Sequence, residues 1–400
     1  MNSNINRLVS IAGKETRTII GLMSGTSLDG LDVALCHVSG SGLQTRLELK
    51  QFCTVAYDDT FKAQVKQIFS KRNIDLEQLC LLNEHIGLTH ASMINDCLKR
   101  WNIANADIDL IASHGQTIYH APSSLHKQKG FTNATLQIGD ADHIAVNTGI
   151  ITIADFRQKH IAAGGEGAPL AVYGDHILFG KKGEDRILLN IGGISNLTYL
   201  PANRNFAAVT CSDIGPGNTL MDAFVQKHFP GKHFDKNAEI ATTGSCNNSL
   251  LQALKENSFF DTTLPKTTGP ELFNMQYIET ALKKSGTETL PVQDILHTLT
   301  KFTADSITDI VKKYWADKTD LKIYCSGGGM HNPLLMQYIS QQLPGTFIST
   351  TKELGIDPDA KEAVLFAILA NESICGNPEL FSSGNKNTPT VCMGKISFFS

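Results

Sequence analysis

The segment Ser24-Gly25-Thr26-Ser27-Leu28-Asp29-Gly30-Leu31 crowds hydroxyls, a carboxylate and two glycines into one short stretch. Glycine lets backbone approach a ligand closely, and successive N–H groups in such a turn form an anion-binding concavity. Thr26 and Ser27 add hydroxyl donors. Asp29 adds a carboxylate suited to orienting hydrated magnesium beside a phosphate. A turn of similar chemistry, Gly192-Gly193-Ile194-Ser195-Asn196, lies much further along the chain. One polar turn alone is most simply a hairpin connection. Two in equivalent settings suit a triphosphate, one facing the other across a cleft.

Ser326-Gly327-Gly328-Gly329-Met330-His331-Asn332 offers a wall without side chains, where a flat adenine could lie, or else a loop needing unusual φ angles. Asp213, in Asp213-Ile214-Gly215-Pro216-Gly217-Asn218, ends an expected strand and precedes a helix. That place suits a general base and equally a capping carboxylate. Glu362 falls in AKEAVLFAILA, on either the solvent face or a ligand-facing one. Arg157, in ADFRQKH, has the fork to pair a carboxylate bidentately or to make a surface ion pair. His114 and His120 flank Gly115-Gln116-Thr117 with no third metal partner in view.

Other chemistries are excluded. No GxxxxGK followed by Ser or Thr occurs, nor HExxH, GxSxG or a well-placed GxGxxG. Nine scattered cysteines, none in CxxC spacing, argue against a disulfide framework or zinc site and fit a reducing, cytoplasmic setting. A net charge of -4 leaves no basic surface for nucleic acid. No apolar run reaches membrane-spanning length, and the polar start MNSNINRLVSIAGKETRT lacks the form of a signal peptide and reads as a poorly ordered extension.

The elements that position these residues alternate between strand and helix. Residues 18–23 and 31–38 read as a hairpin around the first turn, and 186–191 and 197–200 as another around the second. With 400 residues, 42% apolar and 18% charged, the chain is globular and too long for one ordinary core. Two copies of one hairpin therefore predict a duplicated, two-lobed α/β architecture. The expected division gives residues 1–155 to the first lobe and 156–375 to the second, with 376–400 packing back on the first. Helical periodicity runs from Thr60 to about Asn105 and over 140–148, 246–257, 271–284, 291–315, 334–342 and 359–371; a third strand is expected at Ala207–Val209.

These pieces in this order resemble the superfamily of acetate and sugar kinases, heat-shock chaperones and actin. GTSLDG, NIGGISN, CSGGGMHN and KEAVLFA match its two phosphate hairpins, adenosine loop and connecting helix. GLMSGTSLDGLDVAL, SHGQTI, ADFR, LNIGGISNL, SDIGPGNTLMDAF, KTTGPELFN and GGGMHNPLLM together look like the anhydro-N-acetylmuramic acid kinase family. The resemblance implies two actin-like (ribonuclease H-like) lobes of mixed sheet and flanking helices with a cleft between them. It implies ATP and Mg2+ as cofactors, and a bridged amino sugar that is opened by water at C1 and phosphorylated on O6 during peptidoglycan recycling. By motif position, Asp213 would activate the water, with Glu362 as a second cleft carboxylate. Ser24 to Leu31, Gly192, Gly193, Asn196, Gly327, Gly328, Gly329 and Asn332 would hold ATP, with Asp29 on the hydrated metal. His114, Gln116, Thr117, Arg157, Gly215 and Asn218 would hold the sugar.

One stretch departs from the family pattern. Where many members read FRRRDxAAGGQGAPLVP, this chain has FRQKHIAAGGEGAPLAV, with Gln158, Lys159, His160 and Glu166 among the changes. Glu166 facing a sugar carboxylate would repel it. The changes fit either the same substrate or a paralogue for another sugar, and the intact Asp213 and phosphate turns favour the first. A nucleotide-driven binding module and a polyphosphate hydrolase are the other readings; the first would want a further domain beyond residue 376, the second a more basic site. A homodimer is left open.

Overall fold

In the computed structural model, residues 2–381 and 389–400 are described. The chain forms two compact units, one from Met1–Phe179 with Gly355–Ser400 and one from Gly180–Leu354.

The first unit is built on β1 (Thr16–Ser24), β2 (Gly30–Ser39) and β3 (Arg46–Ala56), an antiparallel meander. β4 (Leu110–Ala121) lies parallel to β1 on its other side, β5 (Ala134–Ile138) pairs with the outer part of β4, and β6 (Thr152–Ala154) runs parallel to β4. Strand alternation sorts β1 by face. Ile20 and Leu22 join the core with Leu82, Ile86 and Ile94 of the helix Leu76–Trp101. Asp75 caps that helix at its start, accepting from the N–H groups of Glu77 and Gln78, and left-handed Asn102 closes it. Gly21 faces the other way. A Cβ there would lie 1.9 Å from the Ala363 carbonyl oxygen, so glycine lets the helix Lys361–Cys375 sit directly on the strand.

The second unit repeats the plan. β7 (Arg186–Ile191), β8 (Ile194–Leu200) and β9 (Thr210–Pro216) form an antiparallel meander. β10 (Lys322–Ser326) is parallel to β7, and β11 (Phe347–Thr350) is parallel to β10. Ile187, Leu189 and Ile191 share a core with Ile307 and Val311 of the helix Val292–Trp315 and with Leu335 and Ile339 of the helix Pro333–Gln342. A second, helical core gathers around Phe224, Leu250, Phe273 and Phe302.

Sheet order is therefore β3-β2-β1-β4-β6 in one unit and β9-β8-β7-β10-β11 in the other. This is the actin-like, ribonuclease H-like α/β fold, present twice. The boundaries differ from the expected 155/156 and 375/376. β6 pairs with β4, and the helices Ala171–Phe179 and Lys361–Cys375 pack together in the first unit, so both belong to it. The returning segment includes Lys395–Ser397, antiparallel to β6, while 382–388 lie outside the described residues.

Further corrections concern single elements. The expected loose N-terminus is a helix, Ser3–Ala12, capped by Asn2 and with Asn4 and Ile11 buried. The third strand of the second unit is Thr210–Pro216; Phe206–Ala208 form only a turn of 3-10 helix. The long helical stretch after Thr60 is two helices, Asp59–Ile68 and Leu76–Trp101. Among the described residues no helix is long and apolar enough to cross a membrane, and all nine cysteines are free thiols.

Candidate active site

In the first unit, the β1–β2 turn exposes Thr26, Ser27 and Asp29 while Leu28 turns inward at φ 59°. The Leu28 N–H bonds back to the Gly25 carbonyl at 3.3 Å. Among the described residues, the N–H groups of Gly25, Thr26, Ser27 and Asp29 have no internal acceptor. Four unpaired donors around one turn can hold an oxyanion. A Cβ on Gly25 would meet only the Ser27 hydroxyl, at 3.7 Å, so folding leaves this glycine's open side free.

Behind the turn runs a buried relay. Neutral His90 donates from Nε2 to the Tyr57 hydroxyl at 2.8 Å, and Tyr57 donates to Ser24 Oγ at 2.8 Å. Ser24 in turn donates to Gln116 Oε1 at 2.5 Å, and Gln116 Nε2 donates to the Gly25 carbonyl at 3.4 Å. Burial pushes His90 down to about 4, which keeps it neutral. Ser24 and Gln116, expected at the ligands, thus spend their side chains on each other and brace the turn from behind. Thr117 accepts from Gln137 Nε2 at 3.2 Å.

Arg157 begins the short helix Phe156–Ala162, after Asp155 in a left-handed conformation. Its Nε donates to His114 Nε2 at 3.0 Å and its Nη1 to the Gly167 carbonyl at 2.7 Å. Burial first, then the adjacent guanidinium, depress His114 to about 3, so this histidine is a neutral acceptor that orients Arg157. Nη2 has no partner among the described residues. Glu362 lies exposed in the first turn of its helix. Surrounding atoms still displace enough of its hydration to raise its pKa; Asp32 and Asp175 add to this, and Lys361 and Arg157 oppose it. Asp32 on β2 is raised too, mainly by burial and further by Asp359 and Asp29.

In the second unit, β7 and β8 join through Gly192-Gly193. The following GPGN loop clamps that turn. Asn218 N–H donates to the Gly192 carbonyl and Gly217 N–H to the Gly193 carbonyl, both at 2.8 Å; Thr219 Oγ1 adds a bond to the latter at 2.7 Å. The N–H groups of Gly192 and Gly193 have no internal acceptor among the described residues. A Cβ on Gly217 would stand 2.2 Å from the Gly192 carbonyl oxygen, so this glycine is what lets the two loops meet.

Strand register lines up a polar row on the sheet face opposite the core. Ser326 pairs with Asn190, Asn190 with Asn196, and Asn196 with Asp213. Asp213 is half-buried and tied to the 266–268 loop. Its N–H donates to the Lys266 carbonyl at 3.0 Å, and its Oδ2 accepts from Thr268 N–H at 2.9 Å. Oδ1 has no partner among the described residues. Burial raises its pKa first, the Thr268 bond opposes this, and Glu271 adds to it. A carboxylate held by one oxygen and bare on the other, with raised basicity, is fit to take a proton from water.

The other expected residues divide. Gly327 (φ 82°) and Gly329 are required by β7, since a Cβ on either would strike Asn190 or Ile191; only Gly328 is exposed. Asn332 caps the helix Pro333–Gln342 by accepting from Leu335 N–H at 2.9 Å. Gly215 makes room for Ser306, and Asn218 reaches the Ile191 carbonyl at 3.4 Å. Sequence reasoning missed Asn190, Tyr57, His90 and Thr268. Asn190 alone carried a local sign, a polar side chain inside the apolar strand RILLNI.

A doubled ribonuclease H-like fold, with open amide turns on the first hairpin of each copy and a tethered carboxylate on one sheet, defines a phosphotransferase of the sugar-kinase class. The anhydro-N-acetylmuramic acid kinase family profile matches residues 17–398, and the chain belongs to that family. Its relatives include anhydro-N-acetylmuramic acid kinases of Pseudoalteromonas atlantica, 56% identical over 100% of both chains, and Pseudoalteromonas translucida, 53% identical over 100% of both. That of Caldanaerobacter subterraneus subsp. tengcongensis is 40% identical over 98% of this chain and 100% of its own.

Proposed function

We propose that the chain uses ATP to open 1,6-anhydro-N-acetylmuramic acid and phosphorylate its O6, giving N-acetylmuramic acid 6-phosphate and ADP in cytoplasmic peptidoglycan recycling. One observation carries the assignment of the base: Asp213 is anchored through Oδ2 to Thr268 and unpartnered at Oδ1. Oδ1 removes a proton from water as the water oxygen bonds to C1. The C1–O6 bond breaks, and its electron pair goes to O6, which attacks the γ-phosphorus of ATP as the bridging β,γ P–O bond breaks and ADP leaves with that electron pair. Phosphoryl transfer depends on positioning and charge neutralisation. The unpaired amides of residues 25–27 and 29 and of Gly192 and Gly193 fit phosphate oxygens. Gly328 offers the exposed backbone for adenine.

The donor set also suits a hydrated magnesium ion. Asp29 is exposed, and its charge adds to that of Asp359 in raising Asp32, a repulsion that a cation relieves. Bound there, magnesium would neutralise phosphate charge.

Arg157, braced on two sides, takes the sugar's lactyl carboxylate through Nη2. Glu362, close enough to Arg157 for their charges to interact, is the second carboxylate of the sugar site. A homodimer is compatible with this chemistry and is not needed for it.

The test is ADP release with a panel of sugars, including the 1,6-anhydro sugar and its open-ring counterpart, with product mass determined. Sugar-dependent ADP and a product carrying one water and one phosphoryl group are expected. D213N should lose turnover while still binding ATP. Normal turnover by D213N ends Asp213's role, and turnover confined to another sugar moves the chain to a different substrate.

A further inference from the structure

His160 is one of this chain's departures from the family pattern, and its surroundings give it a task. Its side chain is fully buried, with the ring edge-on to Tyr173. Nδ1 accepts from the Gly167 N–H at 2.9 Å. The Gly167 carbonyl is the oxygen that receives Arg157 Nη1 at 2.7 Å. The intervening loop is pinned to the same residue, with Gly165 N–H donating to the His160 carbonyl at 3.0 Å. From outside, Asn133 Nδ2 holds the Gly165 carbonyl at 3.0 Å. A Cβ on Gly165 would lie 2.2 Å from the His160 ring, so loop and imidazole fit closely. Burial, with the Arg157 charge adding, pushes His160 down to about 4. At neutral pH it is therefore an uncharged acceptor beside a cationic guanidinium.

We infer that His160 is a positioning residue for recognition of the substrate's acid group: Nδ1 fixes Gly167, Gly167 fixes Arg157, and Arg157 is left with one guanidinium edge set for a carboxylate. This rests on the reading that Arg157 grips the sugar's carboxylate. The chain of bonds acts on binding, not on the transferred groups, so it acts on sugar KM rather than on kcat or ATP. An unmatched Gly167 N–H in a buried loop is costly enough to shift the loop.

Three substitutions separate position from bulk. Asparagine places a carbonyl oxygen near the position of Nδ1, glutamine places it near Nε2, and phenylalanine keeps the ring without an acceptor. H160F and H160Q should each raise sugar KM about tenfold or more, with kcat and ATP KM nearly unchanged, and H160N should restore most of the loss. If H160F does not fold, the H160N and H160Q pair carries the comparison. Direct binding of the anhydro sugar and of its lactyl methyl ester supplies a second readout. Wild type should prefer the free acid, H160Q should lose that preference, and affinity for the ester should stay the same. Equal losses for acid and ester, a parallel loss of ATP affinity, or failure of H160N to recover would each overturn the inference. Wild type that turns over the sugar without preferring acid to ester would instead sink the Arg157 reading beneath it. No turnover of the anhydro sugar at all would remove the proposed function and this inference with it.

Discussion

As the proposed base, Asp213 would combine two requirements that oppose each other: to stay ionised to accept a proton, yet be basic enough to hold one. Desolvation raises its pKa while the Thr268 N–H restrains the rise. A base works deprotonated, so activity should fall as pH drops through this raised value. The acid limb of kcat/KM is expected above that of an ordinary aspartate, and a limb at or below it would count against Asp213. The linked effect on stability has a definite sign. A carboxylate raised on folding opposes folding once pH exceeds its unfolded value. D213N, which can still accept from Thr268, should therefore match or exceed wild type in thermal midpoint at neutral pH while losing turnover. Tyr57→Phe makes the complementary prediction. It strips a donor from Ser24 and an acceptor from His90 in a buried relay, which should cost about 1–3 kcal/mol in urea unfolding. Asp213, Glu362 and Arg157 were picked out as candidates in the sequence, each with a bland alternative beside it. Tyr57, His90 and Asn190 were not, because their roles arise from register and from contacts distant along the chain.

Among the elements, glycines show best how sequence becomes position. Gly217 lets the GPGN loop close on Gly192, and the contact engages the turn's carbonyls while its amides have no internal acceptor among the described residues. Gly217→Ala should unseat that turn and weaken ATP binding by about tenfold, read by calorimetry, with sugar affinity less affected. Gly21→Ala should instead strain the seat of the helix Lys361–Cys375 and lower urea stability by about 1–3 kcal/mol. Both hairpins could be read because a polar turn between apolar strands is a strong local signal. β3 was missed although LELKQFCTV alternates; it is an edge strand with none of its residues fully buried, and Arg46, Glu48 and Lys50 sit among its apolar positions. The helix Ser3–Ala12 was read as loose chain because its order depends on a cap and on tertiary bonds, such as Asn4 Nδ2 to Ser400 Oγ at 3.1 Å.

At the scale of the whole molecule, the two copies of the fold differ in how the chain supplies them. The second unit is one continuous stretch, Gly180–Leu354, with its sheet and both cores encoded inside it. The first is interrupted, and a face of its sheet waits for the helix Lys361–Cys375, made after the whole second unit. Repetition of a hairpin could reveal that there are two units, but no local pattern reveals that the last helix returns to the first. That return is why the expected boundaries fell short. Within the helix Val364, Leu365, Phe366, Ile368 and Leu369 are all buried. At ~2 kcal/mol each, their burial amounts to roughly 10 kcal/mol, comparable to the net stability of an entire domain. A chain ending at Leu354 should therefore lose the cooperative unfolding of its first unit and expose its sheet, seen as dye binding and protease cleavage confined to residues 1–179. The segment 180–354 expressed alone should keep a single cooperative urea transition. Cooperative folding of the first unit without its returning helix would mean that the sheet does not depend on that cover.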